Sequence, residues 1–518
     1  MPVKVNSAAL SALEAVKIEV EVDCTPGLHS FSIVGLPDKT VEESRDRIDS
    51  AIRNCGFANP KSKNLKVVVN LAPASIKKTG SLLDLPISLG YLSATSQLKL
   101  NDSKARLIVG ELSLDGLIRP VRGVLPIAIL ARELQLDEII VPKQNATEAA
   151  MIEGIKVIGV KSLNEVVSYL KQEIVIESEK QPYIAEIISV GTELDFSSIK
   201  GQESAKRALL IGAAGGHNIL MYGPPGSGKT ILAKALRGIL PSMSYEEAID
   251  VTRVYSVAGL TEEHGLINQR PFRSPHHTTS APAIIGGGAS PRPGEISLAH
   301  RGILFLDELP EFPRNVLESL RQPMEDGKVT VSRTAGSGHF PARFMLVGAM
   351  NPCPCGNFGL NTGEVGNDKA TCICLPQVAS RYRKKISGPL LDRIDLQVFV
   401  PRETYTNLSS AEVSESSGQM REKVNLAREI QMKRLKKYGL LTNAEINLKN
   451  IKEICPLSSE AESFLGKFVD KNNISGRGYH RILKISRTVA DLFQSEIIEL
   501  SHLTEAVNFR LSDLSKMV

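Results

Sequence analysis

Gly223-Pro224-Pro225-Gly226-Ser227-Gly228-Lys229-Thr230 follows directly on the apolar run Ile219-Leu220-Met221-Tyr222 and leads into Ile231-Leu232-Ala233-Lys234-Ala235-Leu236. Glycines at 223, 226 and 228 let backbone N–H groups curl around an anion with no side chain in the way. In this G-x-x-x-x-G-K-[ST] form, Lys229 reaches the β- and γ-phosphates of a nucleotide and Thr230 offers its hydroxyl to Mg²⁺. Pro224, Pro225 and Ser227 complete the cradle. The apolar spacing after Thr230 predicts a helix whose positive N-terminal end faces the phosphates. Strand, loop and helix in this order predict an α/β domain that takes ATP with Mg²⁺.

A chain of 518 residues is too long for a single core, so about two to four domains are expected. No apolar run is long enough to span a bilayer, and Met1-Pro2-Val3-Lys4-Val5-Asn6 has no signal-peptide pattern, so the expectation is a cytoplasmic protein with no membrane partner. The net charge of +5 is compatible with nucleic acid but is no argument for it. No internal repeat is visible, which excludes a solenoid.

The second strong signal is Gly302-Ile303-Leu304-Phe305-Leu306-Asp307-Glu308. Its apolar residues predict a central strand whose end delivers Asp307 to Mg²⁺ and Glu308 to the attacking water. Another apolar strand, Phe344 to Met350, ends in Asn351. Upstream, Val16 to Val22 alternates with period two, Phe31 to Val34 does so more weakly, Lys39 to Cys55 has helical spacing, and Lys66 to Leu71 reads as a buried strand. Ala72 to Ile87 reads as a turn into a helix. Lys328 to Arg333 and His339 to Arg343 flank Ala335-Gly336-Ser337-Gly338, the pattern of a hairpin with a Gly-rich turn. From Pro401 the chain turns helical and, between Arg421 and Lys437, basic; a solvated helix face and nucleic-acid phosphate contact are the two readings of that run.

Four of the seven cysteines crowd into one segment, Cys353-Pro354-Cys355 and Cys372-Ile373-Cys374. Two tight pairs suit a tetrahedral Zn²⁺ site that pins the intervening loop, although C-x-C is tighter than the usual C-x₂-C. Free or redox-active thiols and disulfides are the competing readings. Adjacent His276 and His277 rarely point the same way, so their loop reads as polar and rigid, not as a metal site.

Several of these segments resemble known families. Phe196 to Leu209 resembles the opening of AAA+ domains, Asn351 their first sensor, and Leu390-Leu391-Asp392-Arg393 their arginine-finger segment. The resemblance implies that Asn351 orients the lytic water and that Arg393 enters a neighbouring subunit's site, with an internal ion pair to Asp392 or Asp395 as the alternative. In Ser475-Gly476-Arg477-Gly478-Tyr479-His480-Arg481, Arg477 resembles the second sensor that contacts nucleotide, with Arg481 as rival. The insertion Arg270 to Glu295 and the hairpin before Asn351 resemble the AAA+ branch of magnesium-chelatase ATPases, whose loops project into a ring's pore. Residues 66–121 resemble the catalytic domain of Lon-type proteases, but Leu82 and Leu125 fall where that family has its Ser and Lys, which leaves neither nucleophile nor base. Ser81 and Lys78 sit close by, and a one-residue slip in the alignment would revive them on paper as the rival pair.

Taken in order, the motifs resemble the bacterial ComM/YifB family of magnesium-chelatase-like AAA+ proteins. The expected architecture is an inactive Lon-like α+β domain over 1–170, a linker over 171–190, an α/β AAA+ core over 191–400 and a helical lid over 401–518. The resemblance implies a homo-oligomer, a hexameric ring, acting with ATP as a DNA helicase in branch migration during natural transformation, alongside recombination-protein partners. A chelatase-type ATPase that remodels a protein partner is the alternative.

Overall fold

A computed structural model describes residues 2–100, 104–181, 194–261, 266–287, 291–333, 336–358, 372–409 and 414–510. The period-two pattern around Val20 forms a long strand, Glu14–Pro26, with Ile18, Val20 and Val22 buried. It pairs antiparallel with Val3–Ser11 on one side and Leu65–Ala72 on the other, and Ser30–Val34 completes the sheet beyond Leu65–Ala72. Asp38 caps the helix Lys39–Asn54 by accepting from the amide of Val41 at 2.9 Å. A three-stranded parallel sheet follows, in which Glu138–Pro142 lies between Arg106–Ile108 and Lys156–Val160. One apolar cluster runs through both sheets from Val5 to Leu170.

Leu82 and Leu125 both belong to that cluster. The rival pair fares no better as a dyad: the Lys78 ammonium donates to the carbonyls of Gly35 and Pro73, and the Ser81 hydroxyl to Glu111. Ala72 to Ile87 becomes helical only at Asp84. The start of the expected linker packs back on this unit, with the Glu179 amide on the Val157 carbonyl at 2.9 Å and its carboxylate on Lys143 at 2.6 Å. Residues 182–193 lie outside the described residues.

Five parallel strands form the second sheet, in the order Phe272–Arg273, Ile303–Leu306, Met345–Met350, Ile219–Tyr222, Leu396–Phe399. Three of them are buried along their whole length, as expected when helices cover both faces. The chain reverses direction across the sheet at Ile219–Tyr222, and such a switch point opens a crevice at the carboxyl ends of the strands. Ahead of the insertion, the helix Tyr245–Ala258 packs against Val124–Glu133 and accepts the Gly123 amide on the Ser256 carbonyl at 3.1 Å. The hairpin pairs Lys328–Arg333 with Gly336–Pro341. Its turn is therefore shorter than the four residues expected, because Gly336, Ser337 and Gly338 keep extended backbone and pair. Leu13 of the N-terminal unit shares an apolar cluster with Val329 and Phe340 of this hairpin.

The helices Ser417–Leu435, Ser459–Asn472, Gly476–Leu492 and Leu500–Asn508 build the C-terminal unit. Much of the basic run is used internally. Arg434 makes two 2.7 Å bonds to buried Asp491, which also accepts from Arg487 at 3.1 Å, and Lys437 pairs with Glu453 at 2.6 Å. Removing Asp491 strands two guanidinium groups, one of them fully buried. Asp491→Ala is expected to cost about 3–5 kcal/mol, read as a lower denaturant midpoint for this unit.

Candidate nucleotide site

The phosphate loop leaves the sheet at Tyr222 and enters the helix Lys229–Leu236. Gly226 and Gly228 take φ of 75° and 89°, left-handed values that a side chain resists, and the loop curls back on itself there. Lys229 is buried, and its ammonium donates to the carbonyls of Gly223 and Pro224 at 2.8 Å each, to the Ser227 hydroxyl at 3.3 Å and to Asn351 Oδ1 at 3.3 Å. Burial pushes its pKa down to about 8, against the opposing pull of Asp307. Such an ammonium gains most from an anion arriving in the loop.

Thr230 Oγ1 donates to Asp307 Oδ2 at 2.8 Å. A hydroxyl and a carboxylate this close form a hard-oxygen pair of the kind Mg²⁺ takes together with phosphate oxygens. Glu308 is exposed and holds φ of 50°, a conformation unusual for a residue with a side chain. Its carboxylate stands 3.5 Å from His277 Nδ1. The two histidine rings lie 4.1 Å apart between centroids at 34°, so they do point the same way, and His277 meets Phe312 edge-on. The sequence reading missed this partner of Glu308: His277 lies in an insertion, and only the neighbouring parallel strands carry it alongside.

Gln202 spans the base of the loop, donating to the Pro401 carbonyl at 2.7 Å and the Ser227 carbonyl at 3.4 Å. The segment beginning at Cys353 also abuts it: a Cβ on Gly356 would lie 2.3 Å from Pro225 Cδ. Cys353, Cys355, Cys372 and Cys374 bring their sulfurs within 4.8 Å of one another. All seven cysteines are free. Burial opposes ionisation of Cys355, yet amide hydrogen bonds from Asn357 and Ile373 and the Cys353 thiol bring it down to about 6.

Arg393 is buried and pairs with Glu325 at 2.6 Å, and Arg477 approaches the same carboxylate at 3.9 Å. Neither Asp392 nor Asp395 is the partner expected for Arg393, because Arg510 lies nearest Asp392 at 3.8 Å and Arg481 holds Asp395. The structure thus gathers Arg393 and Arg477 at one carboxylate, away from the Lys229–Asn351 cluster. Arg273 is bound to Glu295 through bonds of 2.6 and 2.7 Å.

A five-stranded parallel sheet with this strand order, a phosphate loop on its switch strand and an acidic pair on the next strand but one define a nucleotide-binding AAA+ module of the magnesium-chelatase type. The family models described as "Magnesium chelatase, subunit ChlI", "Subunit ChlI of Mg-chelatase" and "Magnesium chelatase, subunit ChlI C-terminal" match residues 195–408, 20–145 and 414–510. The Competence protein ComM of Haemophilus influenzae is 44% identical over 514 residues, covering 98% of this chain and 97% of that one. YifB of Escherichia coli is 42% identical over 510 residues with the same coverage. The magnesium-chelatase 38 kDa subunit of Rhodobacter capsulatus is 30% identical over 175 residues, 30% of this chain and 50% of that subunit. The chain belongs to the ComM/YifB family of magnesium-chelatase-like AAA+ proteins. Among the described residues, no helix is long and apolar enough to cross a membrane.

The depressed pKa of Lys229 has a testable sign. Phosphate binds the ammonium form, which in the free protein is lost as pH rises through about 8. Nucleotide affinity is therefore expected to be flat from pH 7 to 7.5 and to fall by up to about tenfold per unit above 8. Fluorescence titration with a labelled ATP across pH 7–9.5 checks this, and affinity unchanged to pH 9.5 contradicts it.

Proposed function

We propose that this protein is an ATP-driven ring motor of the AAA+ class that acts on DNA as a branch-migration helicase, with the competence role named for its Haemophilus relative. The observation that carries the ATPase part is the convergence of buried Lys229, the Thr230–Asp307 pair and Asn351 at the carboxyl ends of the central strands. On this reading Lys229 neutralises the β- and γ-phosphates, and Thr230 and Asp307 hold Mg²⁺. That ion, when bound, withdraws charge from the phosphoryl oxygens. Glu308 polarises the lytic water while Asn351 orients it. Arg393 and Arg477 serve a neighbouring subunit's nucleotide, which requires Arg393 to exchange Glu325 for phosphate. The four cysteines hold a structural Zn²⁺. Residues 1–170 form a non-proteolytic Lon-like domain, 191–400 the ATPase core and 401–518 the lid.

Two variants separate binding from chemistry. Lys229→Ala is expected to lose nucleotide affinity, whereas Glu308→Gln keeps it and loses turnover by about 100-fold or more. Arg393→Ala subunits should bind ATP yet hydrolyse it about 1000-fold more slowly. Mixing them with Lys229→Ala subunits should restore activity at mixed junctions, and no recovery in mixed rings would rule out action in trans.

For DNA, the support is the hairpin that precedes Asn351. Lys328 at its base is exposed, as is Arg292 on the insertion. Arg273 and Arg343 have carboxylate partners in Glu295 and Glu445 and are weaker candidates, and the Arg333 side chain lies outside the described ones. A motor that accepts any base relies on phosphate contacts. Replacing Lys328 and Arg292 by Ala should weaken DNA binding equally across sequences and flatten the slope of log K against log salt by about 1.8. The chelatase-like alternative, remodelling of a protein partner, expects no DNA binding for these changes to weaken.

A further inference from the structure

Four thiols placed as these are have the shape of a metal centre. The sulfur of Cys353 lies 3.3 Å from that of Cys355 and 3.8 Å from that of Cys372, and Cys355 and Cys372 are 3.6 Å apart. Thiolates bound to one Zn²⁺ at about 2.3 Å in a tetrahedron stand about 3.8 Å from each other. The donor set is all sulfur, which selects a thiophilic divalent cation over Mg²⁺. The Arg383 guanidinium lies close enough to Cys353 to feel its charge and would offset part of a tetrathiolate's negative charge.

The cluster's neighbours matter more than its ligands. Cys353 comes two residues after Asn351, the side chain that accepts from Lys229 at 3.3 Å. Between the first two cysteines and Phe358 the chain turns through Gly356, which has φ of 83° and sits directly on Pro225 of the phosphate loop. Two residues after Cys374 the helix Pro376–Arg383 begins. Arg383 donates to the Pro352 carbonyl at 3.3 Å and lies 4.6 Å over the Phe358 ring, while the Tyr382 hydroxyl meets the Asn351 backbone. The segment beyond this helix leads to Arg393. Three pieces of chain that touch the nucleotide site therefore converge on the four sulfurs, and without a metal they are joined by the Arg383 and Tyr382 contacts and by weak thiol contacts.

Resting on the zinc reading above, we propose that the Zn²⁺–thiolate centre is the brace of the nucleotide site: metal occupancy holds Gly356 against Pro225 and Asn351 against Lys229, and so sets affinity for nucleotide. Zinc binding releases thiol protons and involves no electron transfer. Asn351 and Lys229 are the groups that meet nucleotide, and Gly356 is a positioning residue acting through Pro225.

The test uses the full chain purified without chelator. Metal analysis is expected to find one Zn²⁺ per chain. A zinc-selective chelator, with Mg²⁺ in excess, should weaken binding of a fluorescent ATP analogue by about tenfold or more, and added Zn²⁺, but not further Mg²⁺, should restore it. Gly356→Ala should retain its zinc and its circular-dichroism spectrum yet lose nucleotide affinity to a similar degree, because the new methyl group collides with Pro225. This variant keeps the proposal testable if cysteine variants fail to fold. Absence of zinc from the purified chain overturns the metal reading itself. Zinc that is present and removable with nucleotide affinity unchanged, or wild-type affinity in Gly356→Ala, overturns the brace while leaving the metal site standing.

Discussion

A buried ammonium whose hydrogen-bond partners are neutral oxygens, three on its own loop and one on Asn351, is the constraint on which the ATPase module depends. Lys229 pays a desolvation cost that Gly223, Pro224, Ser227 and Asn351 offset only in part, as its lowered pKa records. On the proposed reading phosphate relieves that cost, and the loop is electrostatically complete only with nucleotide in it. The sheet exists in the order it does to bring this ammonium, the Asp307 carboxylate and the Asn351 amide to one rim. Parallel strands buried on both faces fix that rim rigidly, because each strand end is registered to its neighbours by the ladder.

The same sheet is tied to the C-terminal helices through Asn218 and Asp395, at the opposite ends of the same strands. Asn218 donates its side-chain amide to the Arg393 carbonyl at 3.1 Å, accepts the Leu346 amide at 2.8 Å and gives its own amide to Asp395 at 3.0 Å. Burial alone would raise the Asp395 pKa, but Arg481, His217 and Lys484 hold it well below the usual carboxylate range. Arg481 belongs to the C-terminal helix Gly476–Leu492 and Asn218 immediately precedes the strand that carries the phosphate loop. One network of charge thus joins the C-terminal helices, the Arg393 segment and the root of the phosphate-loop strand. Glu325 adds a second link by meeting both Arg393 and Arg477. Protonating Asp395 would leave Arg481 and Lys484 facing each other without their shared counter-charge, so this coupling weakens only in acid.

The elements that could be read from sequence are those whose residues carry local meaning. The phosphate loop, the strand before Asp307 and the alternation around Val20 each need only a short window, and the two C-x-C pairs announce their own convergence. What could not be read depends on which strands become neighbours. His277 reaches Glu308 because Phe272–Arg273 lies parallel beside Ile303–Leu306, and no local pattern in the insertion encodes that pairing. The partner of Arg393 is similarly non-local: Asp392 and Asp395 are close in sequence, yet Glu325 fills the geometry. The basic residues are a related case. Arg434, Arg273 and Arg343 look like surface charge in a linear reading, but each meets a carboxylate distant in the chain, and so leaves fewer cations for a polyanion.

ATP hydrolysis by the purified full chain, measured alone and then with single-stranded and branched DNA, tests the central claim most directly. The account predicts basal turnover that requires Mg²⁺ and rises several-fold when branched or single-stranded DNA is added at low salt, with the rise lost as salt increases. Hydrolysis that is indifferent to DNA at every salt concentration, together with no DNA binding in the presence of ATP, would contradict it and leave an ATPase with a protein partner.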